Sequence, residues 1–258
     1  MNFQRRHIPG ASYKAKIQAE RSVSCKIKGI SSERDVENRR KFGFEGEISI
    51  LECDPDGNPI LISFSTSSIS ASIGDNKNFF KRGYGKFRLK WQANKMLLEL
   101  ERDELKASIE EMELLSIAFR PPSSQAKLEE ILGENRKFKI NDEWSPPKDY
   151  LKRIFASKGL SVGDDNILHK ARFHGKEANC AVVLTDIKIS GVEGFDFEYS
   201  AEITLPFDEK LVPMRTKSKS TEKIVKKKSQ KSDNSLLGDD VQEMTFIISS
   251  SMDVSLEK

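Results

Sequence analysis

The segment Phe195-Asp-Phe-Glu-Tyr-Ser-Ala-Glu-Ile-Thr-Leu-Pro-Phe207 alternates almost without a break. Phe195, Phe197, Tyr199, Ala201, Ile203, Leu205 and Phe207 occupy the odd positions. Asp196, Glu198, Ser200, Glu202 and Thr204 occupy even ones. Successive side chains of a strand point to opposite faces, so the segment has one apolar and one wet face. Met244–Leu256 repeats the design, with Met244, Phe246, Ile248, Met252 and Val254 on one face. Long half-buried strands of this kind belong to antiparallel sheets with one face on a core. At about 3.3 Å per residue each spans roughly 40 Å, and strands that long twist and curl a sheet.

Working outward, the same texture recurs at both ends of the chain. Tyr13–Lys28 alternates, with Arg21 interrupting its apolar face, which predicts a bulge or an edge position there. Gly29–Arg40 reads as a long polar hairpin loop turning near Arg34. Lys41–Cys53 is a second strand, and Asp54-Pro-Asp-Gly-Asn-Pro59 is a strong turn. Along Ile60–Ile73 the apolar phase flips, which calls for a bulge within Ser65–Ser68. Tyr84–Leu100 supplies a fourth strand. The centre then changes character. Glu101–Met112 carries helix formers, and Gln125–Leu132 is a short helix ended by Gly133. Ser145-Pro-Pro opens another helix, with Ser145 as its cap. The β texture returns from Ile167 and runs as a meander to Leu256. The expectation is an α+β, mainly β protein. A long curved antiparallel sheet is built from two β-blocks, 12–100 and 164–258. Helices from the central segment, 101–163, pack on one of its faces, and 1–258 forms a single domain.

Composition narrows the function classes. The 258 residues carry 43 basic against 40 acidic side chains, a net charge of +3. That balance argues against nucleic acid as a partner. No window of 18 apolar residues occurs. No apolar stretch follows the basic residues of the first seven, so no signal peptide is expected. The location then reads as periplasmic or secreted for a mature form, and otherwise as cytoplasmic. Cys25 and Cys53 fall far apart along the expected first hairpin, so three free thiols are expected. No Cys-x-x-Cys or histidine cluster suggests a metal, and no cofactor is expected.

No catalytic set emerges, and the chain is read as non-enzymatic. His169 and His174 are five apart, on opposite faces of a strand. The serines stand in no nucleophile elbow. The basic run Arg215–Lys231, with Lys226, Lys227 and Lys228, is most simply a solvated hairpin. Its functional reading is contact with an anionic membrane surface. Phe42, Phe44, Phe64, Phe195, Phe197, Tyr199 and Phe246 line the apolar faces. They form either a packed core or the wall of a cavity for a lipid or other apolar small molecule. Trp144, between a strand-like Phe138–Ile140 and the Ser145-Pro-Pro helix start, is a structural clamp or a gate to that cavity.

The order of β-block, helical centre and β-block resembles the lipoprotein-carrier half-barrels of the bacterial periplasm. It is also similar to uncharacterised secreted β-rich bacterial proteins whose β-blocks flank a Val-x-x-Gly-Asp-x-Trp-like segment. Here that segment reads Phe138-Lys-Ile-Asn-Asp-Glu-Trp144, with Asn141 in the glycine position, where it is expected in the left-handed region. The resemblance implies a curved sheet covered by helices, with an acyl ligand between them. The alternative is a protein-interaction module with a fully packed core, using edge strands or the basic hairpin.

Overall fold

The computed structural model describes residues 7–29, 33–55, 57–74, 76–77, 85–92, 95–100, 109–119, 128–133, 137–207, 214–227 and 241–257. The first block contributes β1 (Ser12–Gly29), β2 (Glu33–Cys53), β3 (Pro59–Ile73), β4 (Asn76–Lys77), β5 (Lys86–Gln92) and β6 (Lys95–Leu100). The centre holds α1 (Ile109–Ala118), α2 (Leu128–Leu132), β7 (Glu143–Trp144) and α3 (Asp149–Ala156). The second block contributes β8 (Ile167–Glu177), β9 (Cys180–Val192), β10 (Phe195–Pro206), β11 (Arg215–Lys227) and β12 (Val241–Glu257).

All described strands join one 12-stranded sheet in the order β6-β5-β3-β2-β1-β12-β11-β10-β9-β8-β7, with β4 against β3. The sheet is mainly antiparallel hairpins, open and curved, and the helices are few. The seam between the blocks is the pairing of β1 with β12, from Lys14 opposite Glu257 to Lys28 opposite Glu243.

Register rows carry one face through the whole sheet. One row reads Phe44, Ile17, Val254, Thr216, Ile203, Val183, Phe173. These inward positions meet the helices. Leu114, Leu115 and Ile117 of α1 close over Tyr13, Ile17, Phe42, Phe44, Phe64 and Leu89. Leu132 of α2 packs on Phe173, Val183, Ile203 and Leu205. Tyr150, Leu151 and Phe155 of α3 pack on Ile167, Ile187, Ile189 and Phe195. Each such large apolar side chain contributes about 1.5–3 kcal/mol by leaving water.

Several local expectations hold. Gly46 pairs with Thr66 and Glu45 with Ser68, leaving Ser67 as the bulged residue. Its hydroxyl donates to the Glu45 carbonyl at 2.8 Å. A Cβ on Gly46 would meet the Ser65 carbonyl oxygen at 2.2 Å, so glycine is required where the bulge brings the backbones together. Asn141 takes φ 69, as its glycine-like position asks. Gly133 and Gly159 leave α2 and α3 with φ +85 and +78.

Others are corrected. The first hairpin pairs Cys25 with Val36, a turn earlier than Arg34, and β2 begins at Glu33. Glu33–Arg39 is exposed throughout. With neither face buried it has no apolar alternation to read. Its pairing rests on the backbone ladder and on polar links such as Lys26–Asp35 and Ser24–Asp35. Arg21 causes no bulge and β1 is no edge: its register with β2 is unbroken. Arg21 stands where the helical cover ends, in the row Arg40, Arg21, Ser250, Ser220. The expected fourth strand is the hairpin β5–β6. Helix α3 starts at Asp149 with Lys148 as its cap residue and no side-chain cap bond, so Ser145 does not cap it. Residues 101–108 of the expected Glu101–Met112 helix and residues 208–213, between β10 and β11, lie outside the described residues.

Candidate binding surfaces

The aromatic residues singled out from the sequence do not converge on one cavity. Phe42, Phe44 and Phe64 lie in the first core. Phe64, at 0% exposure, stacks on Phe87 at 4.6 Å and meets Phe44 edge-on at 5.6 Å. Phe42 meets Phe119 edge-on at 5.8 Å. Phe195 and Phe197 both pack on Phe155 of α3, at 5.3 and 5.2 Å. Tyr199 is partly buried against both cores of the second block. Trp144 lies on Phe138 at 4.3 Å, and its indole N–H donates to the Leu132 carbonyl at the end of α2. Phe246 is partly exposed, two strands from Phe195 in the row Val36, Cys25, Phe246, Ile224, Phe195.

The part of that row from Val36 to Phe246 belongs to a surface the sequence reading did not separate from the core. Beyond the Arg21 row, β1, β2 and β12 run on without a helix over them, while α3 still covers β10 and the adjoining Ile224 of β11. Val23, Ile27, Met244, Phe246 and Ile248 are only partly buried there, and Val36 is 56% exposed. The sequence signal was present: alternation continues along β1 and β12 while Glu33–Arg39 and the serine-rich rows supply no matching apolar bulk.

On the opposite, polar face the sheet hollows into a trough of about 670 Å³ across β2, β1, β12, β11, β10 and β9. One floor row is Lys41, Glu20, Ser251, Lys219, Ser200, Asp186. In the next, Lys217 stands between Asp253 and Glu202. Both signs alternate, so the trough projects no single-sign field. Its cross-strand order becomes visible only once the register is known.

The basic run is mostly strand. Arg215 grips Asp253 with two bonds, at 3.2 and 3.0 Å. Lys226 is exposed and shares its row with Met244 and Ile27, on the apolar face. Lys227 pairs with Glu243, and Lys228 lies outside the described residues. Lys158, just after α3, ties to Glu222 of β11 at 3.0 Å and lies over the Phe155 ring at 5.3 Å.

A buried polar cluster sits beneath α3. His169 of β8 is 1% exposed. Its Nε2 lies 3.3 Å from the Thr185 hydroxyl, and its ring meets Tyr150 edge-on at 5.8 Å. His169 Nδ1 and the Tyr150 hydroxyl are both buried without a hydrogen-bond partner. Burial pushes the imidazole pKa down to about 4, against a small opposing pull from the Pro147 and Ile131 carbonyls. Burial likewise raises the Tyr150 phenol. His169 shares the inward parity of Ile167, Ala171 and Phe173, the signal that locates it in the core. The three cysteines are free thiols. No family model and no curated protein matches the chain.

Proposed function

We propose that the chain is a non-enzymatic binding protein that presents its single-layer sheet extension to a partner polypeptide. The observation that carries this reading is the run of half-exposed apolar residues, Val23 to Ile27 and Met244 to Ile248, with Val36 beside them. A sheet face with a run of exposed apolar side chains is a surface for another chain. The packed rings beneath the helices support it, because Phe42, Phe44 and Phe64 already fill the space that an acyl chain would need. The burial of His169 away from solvent supports a non-catalytic role.

The rival is the apolar carrier suggested by the likeness to lipoprotein-carrier half-barrels, with a periplasmic or secreted location. A photo-reactive phenylalanine analogue at Val36 separates the two. Irradiated in the protein's own host, it is expected to yield a discrete adduct with a polypeptide. A lipid adduct identified by mass spectrometry favours the carrier instead. Absence of any adduct removes the extension as a binding surface.

A further inference from the structure

The second block is held to its helices across a buried, uncharged imidazole. We propose that His169 is a proton-operated latch: when it takes up a proton, the α2–α3 cover detaches from β8–β10 and bares the apolar face beneath. The geometry carries the argument. The ring lies inside the sheet–helix interface, with Thr185 of β9 beside it and Tyr150 of α3 against its face. An imidazolium there needs two hydrogen-bond acceptors or a carboxylate. The acceptors at hand are the Thr185 hydroxyl, itself a donor to the Lys170 carbonyl, and the Pro147 and Ile131 carbonyls, and burial outweighs what they offer a cation. Tyr199 of β10, on the same face, is a phenol.

The charged groups nearby give the cation no partner. Lys148, preceding α3, opposes a second positive charge. Glu130 of α2 is engaged by Arg153 of α3. Lys170 of β8 and Asp186 of β9 occupy the opposite parity and face away. Among the described residues no ion pair reaches His169. A buried charge left unpaired is relieved by opening the interface to water.

The sign follows from linkage. The folded pKa, about 4, lies below the ordinary value of 6.5. The latch is therefore fully closed above pH 6.5 and weakens as pH falls toward 4. Over that window the opening equilibrium grows on the order of a hundredfold. Carboxylates keep their charge down to about pH 5, so the upper part of the window isolates histidine.

The test uses Trp144, whose indole is bonded to the end of α2. The protein has 2 tryptophans. Trp91→Phe removes the other, whose buried N–H has no partner to lose. In that full-length background, acrylamide quenching of Trp144 is expected to rise between pH 6.5 and 5. Amide exchange should speed up in α2 and α3 and stay slow in α1. Adding His169→Gln should abolish the pH response. A response that survives His169→Gln, or equal loosening of both blocks, overturns the latch. If the glutamine variant does not fold, the His169 titration is read by NMR in the unsubstituted chain, and a pKa at or above 6.5 overturns it.

Discussion

Trp144 shows how one side chain holds several parts. Its ring covers Phe138, its N–H satisfies a carbonyl at the end of α2, and its backbone pairs with Ala171 at the sheet edge. These contacts fit the clamp expected from its position between a turn and two prolines. Trp144→Ala should cost about 3–5 kcal/mol and lower the melting temperature by roughly 10 °C without any ligand. An unchanged melting curve would leave only the gating role. Glycines offer a second contrast. Gly194 has φ +67, and a Cβ there would lie 2.6 Å from the Val225 carbonyl oxygen. Gly10 has φ +85 but open space around it. Gly10→Ala should therefore cost about 1 kcal/mol from backbone strain alone, and Gly194→Ala should cost more, as urea midpoints will show.

At the scale of elements, what the sequence revealed depended on burial. β10 was legible because Ala201, Ile203 and Leu205 face a core while Asp196, Glu198 and Ser200 face water. The Ser67 bulge was legible because it shifts that same pattern by one residue. The outer half of β2 was not legible, because a strand wet on both faces leaves no periodic trace. The candidate surfaces were harder still. An alternating apolar face reads the same under a helix or in the open, so Phe246 was grouped with Phe44 although only Phe44 is enclosed. The sheet extension also bears on the basic run. Lys226 shares its row with apolar residues rather than with Lys217 and Lys219, so the run does not form one patch. Replacing Lys226, Lys227 and Lys228 by glutamine is expected to leave binding to anionic vesicles unchanged. A clear loss of salt-sensitive binding, about 1 kcal/mol per charge, would restore the membrane-contact reading. The exposed Lys26–Asp35 pair, 3.9 Å apart, should matter little: Asp35→Asn is expected to change stability by less than about 1 kcal/mol.

For the whole molecule, the two blocks differ in how they are covered. α1 closes the first through Leu114 and Leu115, and the histidine of that block, His7, lies apart from α1 beside Gly57 and Cys53. The cover of the second includes His169 and Tyr150. Acid should therefore loosen the α2–α3 cover of the second block before the α1 cover of the first, a difference that amide exchange in the three helices measures directly.

The seam between β1 and β12 sets an order of events. β1 leaves the ribosome long before its partner on one side, which arrives only with Val241–Glu257. Until then β1 can complete its ladder with β2 alone, and its other edge offers unpaired N–H and C=O groups along its length. Contacts so distant in sequence close slowly, because loop entropy must be met before they form. The nascent chain thus carries a long sticky edge until β12 is made, a hazard for association with other copies. A chain cut before Val241 makes that state permanent, and its expected fate is aggregation rather than a stable first half.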